Sequence, residues 1–529
     1  MMRHSGWPRS VSALAAILVA AVPLALGAQA PRRTTYEELN NFSGVLNFVR
    51  LNYPDTVAFS DLVAAAIRGM LLRLDPHSAY FSRVEWERLT ALDRGELATT
   101  GIRLESVEGV PTVLTVWPRS PAARAGVQPG DRLLALDDTT VGASDVRAVE
   151  LQLAGDKGSR VRLRLERGPR FDPDTFSVSL KRAIVEIRSV STVRLAAPTT
   201  GYVRLEEFGA AAAKEVHDAL RKLRGQGAEQ FILDLRGNPG GLVTAAVDVA
   251  AEFFPRNTLV FRTRGRKKDV DSSFVTGSDG DFRRAPLIVL VDQGSASASE
   301  ALAGSLQDHD RALILGRRSF GKALMQAPHF LASGDMVMLT IGRVLTPTGR
   351  YIQRRYRGMG YEQYLSFAGQ SGAGEDTAAV FTTDNGRAVR GGGGITPDVV
   401  VAGPPPPPPW WGAAVADSAF DDAVADSVAH TLASTNAART AWVAATAEWR
   451  ARLVPPFLAR VRDRLGVTTP PDSAMEHTIA RVLGARVADV RWGAEARDQL
   501  IVGADPDIQA ALGHFTRLAE LLAPPSGRD

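Results

Sequence analysis

The spacing of apolar residues changes several times along the chain, and each change predicts a different kind of element. Between residues 31 and 98, Tyr36, Leu39, Phe42, Val45, Leu46, Phe48 and Val49 recur at helical spacing. Leu62 to Leu74 repeats the pattern and stops at Asp75-Pro76, so this whole segment reads as helical. Residues 99–185 carry short β-rich runs instead: Val113 to Val116, Arg132 to Leu136 and Val161 to Leu165. Turn signals such as Pro129-Gly130-Asp131 separate them, and one short helix fits Pro121 to Ala125. From 186 to 402, apolar strands (Tyr202 to Leu205, Phe231 to Leu235, Leu287 to Val291, Ala312 to Leu315) alternate with helical stretches. The stretches are Ala211 to Arg224, Leu242 to Phe254 and Ser299 to Asp308. That alternation predicts a largely parallel sheet buried on both faces. Six prolines at 404–409 and Trp410-Trp411 follow, a semi-rigid spacer of roughly 19 Å within a 403–411 linker. Residues 412–529 are rich in Ala and Arg, with helical periodicity and no sheet signal, and suggest a packing or docking role.

The first 30 residues have the layout of a secretory signal. Arg3 and Arg9 precede an apolar run from Val11 to Leu26, and Ala28-Gln29-Ala30 supplies a cleavage pattern. The run is shorter than the roughly 20 residues a spanning helix needs. The expectation is a protein exported to a bacterial periplasm or cell envelope, held near the membrane if the segment stays uncleaved. A chain of 529 residues exceeds one core, since single cores stop growing at about 250–300 residues. The absence of cysteine excludes disulfides and thiolate chemistry, and a net charge of only +4 argues against a nucleic-acid binder. Seven lysines stand against 55 arginines, so a lysine at a chemically loaded position is informative.

Three segments carry candidate chemistry. Strand Leu287 to Val291 runs through Asp292-Gln-Gly-Ser-Ala-Ser-Ala-Ser-Glu300 into a helix, whose first N–H groups lack partners and favour a nucleophile that generates an oxyanion. Ser297-Ala-Ser-Glu300 equally fits a capping box. Strand Ala312 to Leu315 leads into Gly316-Arg-Arg-Ser-Phe-Gly-Lys322-Ala-Leu-Met-Gln326. A lysine can lose its proton where an arginine cannot, and a neutral amine can take the proton of a serine hydroxyl. Strand Phe231 to Leu235 enters Arg-Gly-Asn238-Pro-Gly240-Gly241, whose N–H groups could form one arm of an oxyanion hole, with Ala298 N–H as the other.

Jointly these segments resemble the carboxyl-terminal processing peptidases, or tail-specific proteases, of serine peptidase family S41. Ser295 to Glu300 matches the family's S-A-S-A-S-E, Phe320 to Gln326 its F-G-K-x-x-x-Q, and Asp234 to Gly241 its D-L-R-x-N-P-G-G. Leu74-Asp-Pro-His-Ser78, Thr346-Pro-Thr-Gly349 and Gly394-Ile-Thr-Pro-Asp398 also look like family motifs, and Asp505 to Leu512 more weakly so. The resemblance implies Ser297 as nucleophile, Lys322 as general base and Gln326 as the amide that orients the lysine. It implies a multidomain α/β fold: a ClpP/crotonase-like αβ protease core, a PDZ β module, a helical N-terminal segment and a helical C-terminal extension. In the PDZ module at 99–185, Gly101 and Ile102 would begin the carboxylate-binding loop. Such a module adds an extended peptide as a sheet strand and captures its terminal carboxylate. Arg103 stands where the family often has glycine, and either attracts a substrate carboxylate or faces solvent. Ala323 likewise replaces a frequent glycine.

The implied activity is a serine endopeptidase that takes protein tails, with no cofactor, no metal and no nucleic acid, and with possible pairing of two copies through the N-terminal helices. For this role Lys322 should be buried, because its pKa must fall by about 3 units through desolvation. A Ser-His alternative using His309 fails on distance, since 12 residues of helix span about 18 Å; His309 is expected to face solvent at the helix end. His77 has no position that sequence alone assigns. A non-catalytic envelope scaffold that binds tails, and a crotonase-type CoA enzyme, are the rival classes. The signal segment and PDZ insertion disfavour the second.

Overall fold

A computed structural model describes residues 34–523, apart from 94–97, 108–109, 118–119, 128–130, 142–145, 168–173, 186–187, 358–363, 365–378, 404–409, 411–413, 415–417 and 468. The leader-like residues 1–30 and the six prolines lie outside the described residues. The chain divides at Arg73/Leu74 into two units.

The first unit holds α1 (Thr35–Asn52) and α2 (Phe59–Leu72). Thr34 and Glu37 form a reciprocal capping box that starts α1. Tyr36, Leu39, Phe42, Val45, Phe48 and Leu51 are exposed along it.

The second unit begins with a difference from the sequence pattern. Its first residues do not continue the helix: β1 (Ala79–Phe81) is a strand, followed by α3 (Arg83–Asp93). β1 is three residues long, too short for a period to show, and a distant partner stabilises it. A β module follows: β2 (Ile102–Val107), β3 (Val110–Val116), α4 (Pro121–Arg124), β4 (Arg132–Leu136), β5 (Thr139–Thr140), α5 (Val146–Leu153), β6 (Arg160–Arg167) and β7 (Asp174–Lys181). Its sheet order is β2-β3-β4-β6-β7, and Leu133, Val161, Leu163 and Leu165 centre its own core.

The core continues with β8 (Val190–Ala197), β9 (Thr200–Leu205), α6 (Ala212–Gly225), β10 (Gln230–Asp234), α7 (Val243–Ala251), β11 (Leu259–Gly265) and β12 (Ser272–Val275). Next come β13 (Leu287–Val291), α8 (Ala298–Asp308), β14 (Leu313–Gly316), β15 (Leu324–Phe330), β16 (Met336–Leu345), the hairpin β17 (Val380–Thr382) and β18 (Ala388–Arg390), and β19 (Val399–Val400). The main sheet runs β19-β14-β13-β10-β9-β8, parallel except for the β8–β9 pair. Alternate side chains face opposite ways. Phe231, Leu233, Val289 and Val291 pack against α6, α7 and α8, while Ile232, Ile288 and Leu290 face the other side. A second, antiparallel sheet orders β1-β16-β11-β12, with β15 also on β16.

The C-terminal extension is helical as the periodicity predicts: α9 (Ser418–His430), α10 (Asn436–Ala444), α11 (Thr446–Leu465), α12 (Ser473–Trp492), α13 (Ala494–Ala504), α14 (Pro506–His514) and α15 (Leu518–Leu522). α9 to α13 bury a core of their own around the stacked rings of Trp442 and Trp449. α14 does something else. Ile508 and Ala511, with Val502 and Leu518, cover the second face of the main sheet over Tyr202, Ile232, Ile288, Leu290, Leu313 and Leu315.

Candidate active site

The carboxyl ends of β10, β13 and β14 lie side by side, as their pairing requires, and open into the three motif-bearing loops. Ligand sites of parallel sheets form at this end of the strands. After β13, Ser297 sits at φ +57°, ψ −112°. Holding a serine there costs about 1–3 kcal/mol, and its neighbours supply the constraint. Ser295 donates its hydroxyl to Leu235 O at 2.8 Å, and Ser299 donates to Asn238 O at 3.0 Å. Ala296 N–H also donates to Asn238 O at 3.0 Å. Ser295 and Ser299 are fully buried by these duties, whereas Ser297 is only partly buried. Of the three serines in the motif, the middle one is thus presented to reactants.

Glu300 was visible in the sequence only as the partner in a cap. In the structure the cap is present, and the carboxylate does more. Oε2 accepts Ser297 N–H at 2.9 Å and Lys322 N–H at 2.7 Å, while Oε1 accepts the Ser319 hydroxyl at 2.5 Å and Gly321 N–H at 2.6 Å. Glu300 is almost completely buried. Burial pushes its carboxyl up to about 7, and the donors from Ser319, Lys322, Gly321 and Ser297 pull against that rise. One carboxylate therefore fastens the serine turn to the lysine loop.

Lys322 is partly buried, where the base role called for full burial. Its neighbours Ser319, Gly321 and Ala323 are covered, and Glu300 holds the Gly321 and Lys322 amides, while Lys322 itself stays partly exposed. Ala323, in place of glycine, is buried and its N–H donates to Gln353 Oε1 at 2.8 Å.

Gln326 lies on β15 just past a register shift between Met325 and Gln326 in the pairing with β16. Such an irregularity re-aims a side chain. Its amide Nε2 donates to the carbonyl of His77. This brings in residues that sequence reasoning left unplaced. Asp75 holds the turn by accepting His77 N–H at 2.8 Å, Ser78 N–H at 2.7 Å and the Ser78 hydroxyl at 2.7 Å. His77 Nε2 meets Tyr364 Oη at 2.9 Å. Burial first, and the nearby Lys322 amine second, push the His77 ring down to about 3, so it stays neutral. The Asp75-Pro76 turn signal and the likeness of Leu74 to Ser78 to a family motif hinted at this corner, without placing His77 beside Gln326.

On the third loop, Gly240 has φ +104° and Gly241 φ +136°. A Cβ on Gly240 would lie 2.8 Å from Ala296 O and 2.8 Å from Ser297 Cβ, so this backbone is pressed against the serine. Gly240 N–H is already donated to Asn238 Oδ1 at 2.9 Å. Gly241 is clamped to Phe208 by a parallel bridge. Ala298 is the first residue of α8, where no carbonyl precedes its N–H within the helix.

One expectation about another residue changes. His309 does not face solvent: Nδ1 meets Asp384 Oδ2 at 2.7 Å, Nε2 meets Leu259 O at 2.8 Å, and the ring packs on Phe254. The hairpin β17–β18 supplies the adjoining Asp384, a tertiary contact invisible in the helix pattern. Arg103 has a partner too, Glu207 at 3.6 Å. Gly101 (φ +83°) precedes β2 and Ile102 begins it.

The profile of peptidase family S41 matches residues 199–365, and that of the PDZ domain matches residues 112–167. The chain is 34% identical over 288 residues to a carboxyl-terminal-processing protease of Synechocystis sp., covering 53% of this chain and 66% of that one. It is 32% identical over 327 residues to a carboxy-terminal-processing protease of Bartonella bacilliformis, covering 61% and 74%. The solved photosystem II D1 C-terminal processing protease superposes with a TM-score of 0.43 at 30% identity, covering 60% and 83%. With 32% identity over 74% of the Bartonella protein, and with matched profiles on the β module and on the sheet that bears the three loops, the chain belongs to the carboxyl-terminal-processing proteases of serine peptidase family S41.

Proposed function

We propose that this chain is an exported endopeptidase that takes protein tails in its PDZ groove and cuts peptide bonds through Ser297 and Lys322. Ser297 Oγ attacks the peptide carbonyl while a neutral Lys322 amine takes the hydroxyl proton. Ala298 N–H and Gly241 N–H hold the developing oxyanion; Gly240, whose amide already serves Asn238, shapes the backbone instead. Lys322 returns the proton to the leaving amine, and water hydrolyses the acyl-enzyme. Gln326, tied to His77 through its Nε2, keeps its carbonyl oxygen for the lysine. Substrate completes the desolvation that the partly buried lysine requires.

The observation that carries this reading is the sharing of Glu300 by the amides of Ser297 and Lys322. A scaffold that had lost its chemistry would have no use for a buried carboxylate joining those two residues. The segment 1–30 supports an envelope location, near the membrane if uncleaved, and the exposed apolar residues of α1 support pairing with a second copy. The test is incubation of the purified chain with a model protein bearing an apolar C-terminal tail. Wild type should shorten it and Ser297→Ala should bind without cutting. Equal cleavage by both proteins would end the proposal.

A further inference from the structure

In the PDZ module, β2 is an edge strand and α5 packs beside it. An edge strand with a helix alongside is where an extended peptide can add itself to a sheet, and backbone amides at its start can hold a terminal carboxylate. Gly101 makes the turn into β2 so close to α4 that a Cβ there would lie 2.1 Å from Ser120 Cβ. Ile102, Arg103 and Leu104 then offer the first amides of the strand. The Leu104 N–H is turned across to α5, where it donates to Glu150 Oε1 at 2.7 Å. Beside it, the positive charge that could welcome a tail, Arg103, is engaged by Glu207.

The geometry points to Glu150 as an internal stand-in for the carboxylate of a substrate tail. It holds the Leu104 amide, and a tail docks by displacing it. Two carboxylates cannot both accept one N–H, and at hydrogen-bond range their charges repel. Glu150 thus lowers the affinity of every free C-terminus for this groove. It admits those whose upstream residues bind well enough along β2 to drive the exchange. The residue sets a threshold on substrate choice without touching the serine or the lysine. This inference rests on the tail-docking role given to the PDZ module above.

The test uses the full chain carrying Ser297→Ala, so that bound peptide is not cut. Fluorescence anisotropy compares a labelled ten-residue peptide ending in alanine, as free acid and as amide. Glu150→Ala, which removes acceptor and charge, should bind the acid at least fivefold tighter and leave the amide unchanged. Glu150→Gln, which keeps an acceptor without the charge, should fall between. Unchanged or weaker acid binding in both variants would overturn the assignment, as would equal tightening of acid and amide. Should the Glu150→Ala helix fail to form by circular dichroism, the Gln variant decides alone. Cleavage by the chain with Ser297 intact, measured separately, distinguishes failure of this inference from failure of the protease reading.

Discussion

Ser297 and Lys322 hang their backbone N–H groups on a single oxygen of Glu300, at 2.9 and 2.7 Å. The two loops come from different strands, β13 and β14, and nothing in parallel pairing alone would fix their distance to the fraction of an ångström that proton transfer needs. A buried acceptor between them does. Ser319 and Gly321 complete the fastening from the lysine side.

Lys322→Arg should keep the charge and abolish cleavage, because a guanidinium cannot give up its proton at working pH. Removing a general base costs about 10²–10⁴-fold. A kcat for the arginine variant within tenfold of wild type would remove the lysine from proton transfer.

Glu300 gives a pH signature. Its carboxyl is raised from 4.5 to about 7 by burial, so the folded chain holds a proton between those values that the unfolded chain has lost. The contribution to stability is therefore full below pH 4.5 and lost as pH rises through about 7. Glu300→Gln lacks this dependence. Thermal unfolding of both proteins at pH 5 and pH 8 should show wild type losing ground to the glutamine variant at pH 8. The variant should nonetheless cleave at least a hundredfold more slowly, since an amide NH₂ faces donors. Parallel unfolding profiles at the two pH values would contradict the assignment.

At Gly240, alanine is both strained and obstructed. The positive φ costs about 1–3 kcal/mol, and the added methyl meets Ala296 O and Ser297 Cβ. Gly240→Ala should unfold at lower denaturant and lose at least a hundredfold in kcat, with tail binding intact. Normal turnover would show that the third loop stands apart from the serine.

Asp507 of α14 accepts Arg236 Nη1 at 2.8 Å and both terminal nitrogens of Arg317 at 3.1 and 2.9 Å. Arg236 also binds Asp234, whose burial alone would raise its carboxyl but which Arg236 and Arg204 hold below the usual range. Asp507→Ala strands the Arg317 guanidinium just after β14, while Arg236, just after β10, keeps Asp234 and Asp505. Breaking a buried pair from one side costs about 3–5 kcal/mol. Urea unfolding should show a loss of that order, together with reduced cleavage. A change under 1 kcal/mol would mean that α14 is held by its apolar face alone.

Much of this architecture was legible from period. The alternation from Tyr202 to Leu315 foretold the parallel sheet because both faces are buried, and the motif spacing placed Ser297 and Lys322 on adjacent loops. What escaped was whatever depends on partners far along the chain. β1 exists because Met336 to Met338 lie beside it. Gln326 finds the His77 carbonyl 249 residues away. Glu300 looked like an ordinary helix cap because its local bond to Ser297 is one, and only folding adds the three donors from the lysine loop. The partly buried Lys322 escaped for a similar reason: its neighbours Ser319, Gly321 and Ala323 are covered, and the pattern of a short loop does not show how far one long side chain is.

The second face of the main sheet is sealed by Val502, Ile508, Ala511 and Leu518, far along the chain from the strands they cover. Without them Ile232, Ile288 and Leu290 would face water, and Arg317 would lose Asp507. The three motif-bearing loops thus stand on a sheet whose reverse side is closed only by a segment remote in the sequence.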